Sequence, residues 1–231
     1  MGQIIVNPVV DGYASSVTGG SSWHSAVSAI GVSANNLMTI DLIRATSDTV
    51  ENQWSQVVRT FFSFDTSGIP NDATIDSATL TLRGYDKKNE FSATWVLALY
   101  DAILNNPTLV AAGDFANAGV VLLSSTIAYA AWSTSGDNVL TLNAAGLANI
   151  SKTGNTIMCV RDVTYDVADE LDPNNHDPAW TTYNLYYMRW VGSGAESNKP
   201  FLTVNYTEAP VVQNPGGAYI SRNMLWRMSS L

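Results

Sequence analysis

The sequence predicts an all-β protein, a two-sheet antiparallel jelly-roll sandwich with an extended C-terminal arm. Three observations predict it. Runs rich in Val, Ile, Thr and aromatic residues recur along the whole chain. Segments with apolar residues spaced three and four apart are scarce. Turn-rich stretches such as Ser67-Gly68-Ile69-Pro70-Asn71-Asp72 and Ser133-Thr134-Ser135-Gly136-Asp137 separate the runs. With 46% hydrophobic and 13% charged residues, the 231-residue chain has the balance of a packed globular protein, well away from that of a disordered one.

Strands are expected near residues 4–13, 37–45, 56–64, 74–85, 94–101, 120–129, 137–142, 155–162, 182–191 and 200–207. In the fourth of these, strand alternation puts Ile75, Ala78, Leu80 and Leu82 near one face and Thr79, Thr81 and Arg83 on the other, so one face is buried and the other wet. Tyr183-Asn184-Leu185-Tyr186-Tyr187-Met188-Arg189-Trp190-Val191 is apolar or aromatic on both faces, as expected of a central strand or of one whose outer face binds something. Asn143-Ala144-Ala145-Gly146-Leu147-Ala148-Asn149-Ile150 is the exception to the β pattern. Its alanines and its opening Asn predict one or two helical turns. No linker divides the interior, so residues 1–207 are expected to form one sandwich.

Composition changes after Tyr206. Residues 208–231 open on two prolines and a glycine pair and are expected to leave the sandwich as a linker and arm. Residues 209–231 carry two arginines and no acid, for a charge of +2, whereas residues 1–208 carry 9 basic and 20 acidic groups, for −11. Arg222, Met224, Trp226, Arg227, Met228 and Leu231 are anchor types common at interfaces, and they are the candidate assembly residues; a loose terminus is the alternative.

The formal charge of −9, with Arg44, Arg59, Arg83, Arg161 and Arg189 scattered along the chain, argues against nucleic acid and anionic membrane as partners. The amino terminus has neither a basic leader nor an apolar core of signal-peptide length, so no secretion signal is expected. No stretch reaches the roughly 18 apolar residues of a membrane span, so no membrane insertion is expected. The single cysteine, Cys159, lies in Thr156-Ile157-Met158-Cys159-Val160 and is expected to be a buried strand residue.

Arg59-Thr60-Phe61-Phe62-Ser63-Phe64-Asp65-Thr66-Ser67-Gly68-Ile69-Pro70, with the strand Ala73 to Leu82 after it, resembles the Arg-x-x-x-x-Phe-Asp-x-Ser-x-Ile-Pro stretch of the surface β-sandwich family called DNRLRE domains, which are similar to carbohydrate-binding modules. Val9-Val10-Asp11-Gly12-Tyr13 resembles that family's opening strand, and Lys199-Pro200-Phe201-Leu202-Thr203-Val204-Asn205-Tyr206 its closing strand. The resemblance covers residues 9–206. It implies a jelly roll with first and last strands close together and roles in attachment, adhesion or glycan contact. It implies no active site.

Two constellations carry candidate chemistry. Asp162, Asp166, Asp169, Glu170, Asp172 and Asp177 place six acids within sixteen residues, with no Lys or Arg between Arg161 and Arg189. Hard oxygen ligands on a loop are what Ca²⁺ requires, so this is a candidate calcium loop; a plain solvated acidic loop is the alternative. No cofactor is required. Trp180, Tyr186 and Trp190, with Trp54 from the polar segment Glu51-Asn52-Gln53-Trp54-Ser55, are candidate glycan-stacking rings, and core packing is the alternative for them. Trp23 and Trp54 are expected to be partly exposed.

No phosphate-binding glycine loop, zincin helix or nucleophile elbow is present, and the two histidines, His24 and His176, have no recognisable nucleophile context, so the chain is not expected to be an enzyme. The leading expectation is a bacteriophage virion structural protein, a capsid decoration or tail-associated subunit that forms homo-oligomers or binds neighbouring virion proteins. The runner-up is a carbohydrate-binding or adhesion module that recognises cell-surface glycans.

Overall fold

The computed structural model describes residues 1–16, 19–91, 93–171 and 177–210. The chain is all-β, as expected, with every strand pair antiparallel. The first expected strand is two. Pro8 has no N–H to give a ladder, and the chain breaks there into β1 (Gly2–Val6) and β2 (Val10–Ser16). A short helix, α1 (Trp23–Val27), follows, capped by the Ser22 hydroxyl, which accepts from the Ser25 amide at 3.3 Å. After it come β3 (Ser33–Asn36), β4 (Ile40–Ser47), and the two longest strands, β5 (Trp54–Asp65) and β6 (Thr74–Asn89).

The second half holds β7 (Val96–Ala102), β8 (Ala118–Leu122), β9 (Ile127–Ala128) and β10 (Asp137–Thr141), so the expected strand 120–129 is also two. The helical turns expected from residue 143 are α2 (Ala144–Asn149), with the Asn143 side chain accepting from the Gly146 amide. Then come β11 (Asn155–Asp162), a π-helical turn over Val163–Val167, α3 (Ala168–Leu171), β12 (Leu185–Val191) and β13 (Phe201–Thr207).

The expectation of two separate jelly-roll sheets meets a different pattern. Pairing runs without a break in the order β1-β13-β6-β12-β4-β5-β11-β7-β8, with β10 beside β6, β2 beside β5 and β3, and β9 beside β7. The long strands make this continuity by changing partners along their length. Residues 74–83 of β6 lie with β13 and β10, and residues 84–89 lie with β12. The change falls at Gly84, where a Cβ would meet the Ser133 carbonyl oxygen at 1.7 Å, so only glycine lets the strand pass. β5 likewise pairs β4 through residues 54–58 and β11 through residues 60–65. The first and last strands are neighbours, Gly2 opposite Tyr206 and Val6 opposite Leu202, while Val10–Tyr13 lies in β2 and pairs β5.

One apolar core fills the inside. Ala78, Leu80 and Leu82 of β6 are buried in it as the alternation predicts, and so is Cys159, whose thiol is pushed up by burial. β12 lies between β6 and β4, the central position its two apolar faces predict. Among the described residues no helix is long and apolar enough to cross a membrane.

Candidate functional site

The acidic segment that begins at Asp162 folds over the two arginines of the neighbouring strands. β5 and β11 run side by side with Thr60 opposite Val160, and the next position of each strand carries Arg59 and Arg161 on one shared face. Both are buried, although guanidinium groups avoid the interior unless paired. The pairing comes from the turn that follows β11. Asp162 accepts from the Tyr165 amide and from the Val96 amide, each at 2.7 Å, and thereby turns the chain back over the sheet.

Asp166 arrives between the two guanidinium groups. Its Oδ2 accepts from Nε of Arg59 and Nε of Arg161, each at 3.0 Å. Its Oδ1 accepts from Nη2 of Arg59 at 2.5 Å and Nη2 of Arg161 at 2.8 Å. These are two fork-to-fork pairs on one carboxylate. The other donors are also used. Arg59 reaches the carbonyls of Phe115 and Val27, and Arg161 those of Ala118 and Gly119 together with Glu170 Oε2 at 2.5 Å. Burial works to raise the Asp166 carboxyl, but Arg161 and Arg59 outweigh it and hold the group well below the usual carboxylate range.

The other acids of the segment go elsewhere. Asp169 is buried against the half-exposed His24, with Oδ2 at 2.9 Å from Nδ1. Asp177 is exposed, and partial burial followed by Asp169 pushes its carboxyl up. Asp172 lies outside the described residues. Asp162, Asp166, Asp169, Glu170 and Asp177 therefore do not converge on one oxygen cage. Two guanidinium groups already neutralise Asp166 and Glu170, and among the described residues no group of three or more His, Cys, Asp or Glu is placed to hold a metal ion. For Asp166 and Glu170 the calcium-loop expectation meets a different arrangement: their counter-charge comes from Arg59 of β5 and Arg161 of β11, across the fold.

The glycan-stacking expectation is corrected for Trp54, Tyr186 and Trp190. Trp54, Tyr186 and Trp190 are at most 1% exposed, and no ring face is open to a sugar. Trp54 packs on Trp23 and Phe91, Tyr186 stacks on Trp95, and Trp190 packs on Phe62 and Trp132. Trp23, expected to be partly exposed, is 1% exposed because α1 turns it inward. Trp180 is half-buried, and its Nε1 donates to the Gln53 carbonyl at 3.0 Å. The cavity lined by Trp23, Arg44, Trp95, Asp162, Asp166 and Tyr186 has a volume of about 10 Å³, room for roughly one water molecule and not for a sugar. Arg222, Met224, Trp226, Arg227, Met228 and Leu231 lie outside the described residues.

Burial pushes the Asp162 carboxyl up to about 7, against the opposing hydrogen bonds from Tyr165 and Val96. Its folded value lies above its unfolded one, so the folded state favours the protonated form. The stability linked to it is fully present below about pH 4 and is lost as pH rises through about 7. Asp162→Asn is expected to remove that dependence. The difference in unfolding free energy between variant and wild type, followed by urea titration from pH 4 to 9, should change in the variant's favour by at most about 1.4 kcal/mol per pH unit. A difference that stays flat across that range would refute the assignment.

No protein-family model matches the chain, and no curated protein matches it.

Proposed function

We propose that the chain is a virion structural protein of a bacteriophage, a capsid decoration or tail-associated subunit held by neighbouring virion proteins or by copies of itself. The observation that supports this most is the outer strand β8. Among the described residues it pairs only with β7, and three consecutive residues on it, Val120, Val121 and Leu122, are exposed without any charge among them. Ile103, whose amide bonds the Asn117 carbonyl next to β8, extends the apolar surface. The Val121 amide donates to Asp101 Oδ1 and the Leu122 carbonyl accepts from Asn143 Nδ2, each at 2.8 Å, so what β8 offers another chain is an apolar side-chain surface rather than free backbone groups.

The sign of the C-terminal segment adds to the reading, because residues 209–231 at +2 are attracted to the −11 of the rest. Of the aromatic residues that a glycan-binding or adhesion module would use, Trp54, Tyr186 and Trp190 have their rings spent on the core, and Trp180 is half-buried.

Light scattering at matched concentration tests the proposal on the full chain, a version ending at Glu208, and Val121→Lys. The full chain is expected to be an oligomer, and each change is expected to shift it towards the monomer. A full chain that stays monomeric at about 100 μM, well above the dissociation constants of standard interfaces, would count against self-assembly.

A further inference from the structure

A second pair of acids, away from the arginine cluster, is buried with no counter-charge. Asp11 of β2 and Asp41 of β4 are both 0% exposed. None of the ion pairs of the described residues includes either one. Asp11 is held as an acceptor: the Ser193 amide donates to its Oδ2 at 2.6 Å, and the Ser193 hydroxyl donates to its Oδ1. Asp41 adjoins Asp11, the two carboxyl groups standing within hydrogen-bonding reach of each other, and no other N–H or O–H of the described residues reaches either oxygen of Asp41.

The backbone around the pair is drawn in tightly. The Leu37 amide donates to the Asp11 carbonyl at 2.8 Å, and the amides of Gly192 and Gly194 donate to the carbonyls of Thr39 and Met38, each at 3.0 Å. A Cβ on Gly192 would lie 2.6 Å from Asp41 Oδ2 and 2.3 Å from the Met38 carbonyl oxygen, so both oxygens pack close against Gly192, where only glycine fits. Two carboxylates, a hydroxyl and a carbonyl are thus brought together from β2, β4 and the segment after β12.

Two unpaired charges in the interior are too costly to stand alone, and either a proton or a cation must relieve them. A proton on Asp41 can serve one acceptor position of the pair. A dication cancels both charges and takes the lone pairs of Asp41 that no donor meets. Oxygen ligands from scattered backbone and side-chain sources suit the irregular shell of Ca²⁺ better than the strict octahedron of Mg²⁺ or the nitrogen and sulfur preference of Zn²⁺.

We propose that Asp11 and Asp41 bind a divalent cation of the calcium class, with Ser193 Oγ and the Met38 carbonyl as adjacent oxygen ligands, and that the ion ties β2 and β4 to the segment after β12. The site is separate from the acidic segment at 162–177 and is independent of the virion reading.

The test is calorimetric titration of the chelator-treated full chain with CaCl₂, together with its thermal midpoint in calcium and in chelator. Wild type is expected to bind calcium and to gain roughly 5 °C or more at a hundredfold excess over Kd. Asp41→Asn supplies a neutral side chain of the same shape, so it is expected to fold in chelator at least as stably as wild type and to lose the calcium response. Asp177→Asn is expected to keep that response. Wild type that neither binds nor shifts at about 10 mM calcium, above the weakest calcium modules, overturns the proposal and leaves the pair sharing a proton, whatever the variants do. An Asp41→Asn protein that keeps the full response also overturns it, because the ion then binds elsewhere.

Discussion

Asp166→Asn is expected to destabilise the fold by about 3–5 kcal/mol, the range for removing one partner from a buried ion pair. The change is nearly isosteric, so packing does not supply the loss. It removes the buried negative charge held between Arg59 and Arg161, and it turns an acceptor of four hydrogen bonds into a group that must direct an NH₂ at one of two guanidinium groups. Glu170 cannot take over, because it is 36% exposed and meets the arginines from the rim. Glu170→Gln should accordingly cost less than about 1 kcal/mol, as screened pairs do. The acid limb of the stability curve gives a second readout. The folded Asp166 carboxyl lies below its unfolded value, so its contribution is present above about pH 4 and is lost as pH falls towards the folded value. Wild type should lose stability on acidification more steeply than Asp166→Asn. Urea titrations at pH 7 and pH 3 measure both effects, and a variant within 1 kcal/mol of wild type at pH 7 would mean that the arginines find water or other carbonyls instead.

The arginine cluster marks the limit of what local reading could supply. Six acids in one segment were legible as a cluster, but their partners were not, because Arg59 and Asp166 are 107 residues apart in sequence and meet only through the β5–β11 pairing. A signal was present. Arg59 interrupts the apolar run Val57 to Phe62, and Arg161 follows Cys159 and Val160, so each strand carries a charge where its neighbours are buried. Two such charges on strands are a request for a buried counter-ion. Strand content was readable wherever the pattern is self-contained: β11 spans the expected residues 155–162, and α2 begins at the expected Asn cap. It failed where tertiary contacts decide. β3 is Ser33–Asn36, a polar stretch made a strand by its pairing with β2, and α1 lies in a Gly- and Ser-rich segment whose only apolar weight is a tryptophan and two neighbours. The same cause misplaced Trp23 and Trp54. Polar sequence neighbours say where the backbone is wet, and these indoles point away from it, towards each other at 4.7 Å.

That aromatic cluster carries the second large effect: Trp95→Ala is expected to cost about 3–5 kcal/mol, with most of it surviving as a cavity the surroundings cannot close. Trp95 is 1% exposed and stands where separate parts of the chain meet. It stacks on Tyr186 of β12 with centroids 3.9 Å apart and planes 6° from parallel, and meets Trp23 of α1 edge-on at 6.1 Å. It also touches Tyr165 of the π-helical turn, 4.6 Å away, and its Nε1 donates to Asn89 Oδ1 at 3.2 Å, at the end of β6. Alanine removes the stacking partner of a buried tyrosine, a contact worth about 0.5–1.5 kcal/mol beyond area, and one of the two donors of Asn89 Oδ1, which keeps the Phe91 amide. Tyr165 and the Asp162 cap at Val96 next in sequence then lose their backing, so the turn that delivers Asp166 should loosen as well. Trp95→Phe keeps a ring but loses the Nε1 bond, and should fall between wild type and alanine. Because Trp95 and Asp166 act through one turn, the double variant should cost less than the two losses added together. Urea titration of the two singles and the double gives the coupling directly: strict additivity would mean that the aromatic cluster and the arginine cluster stabilise the fold independently.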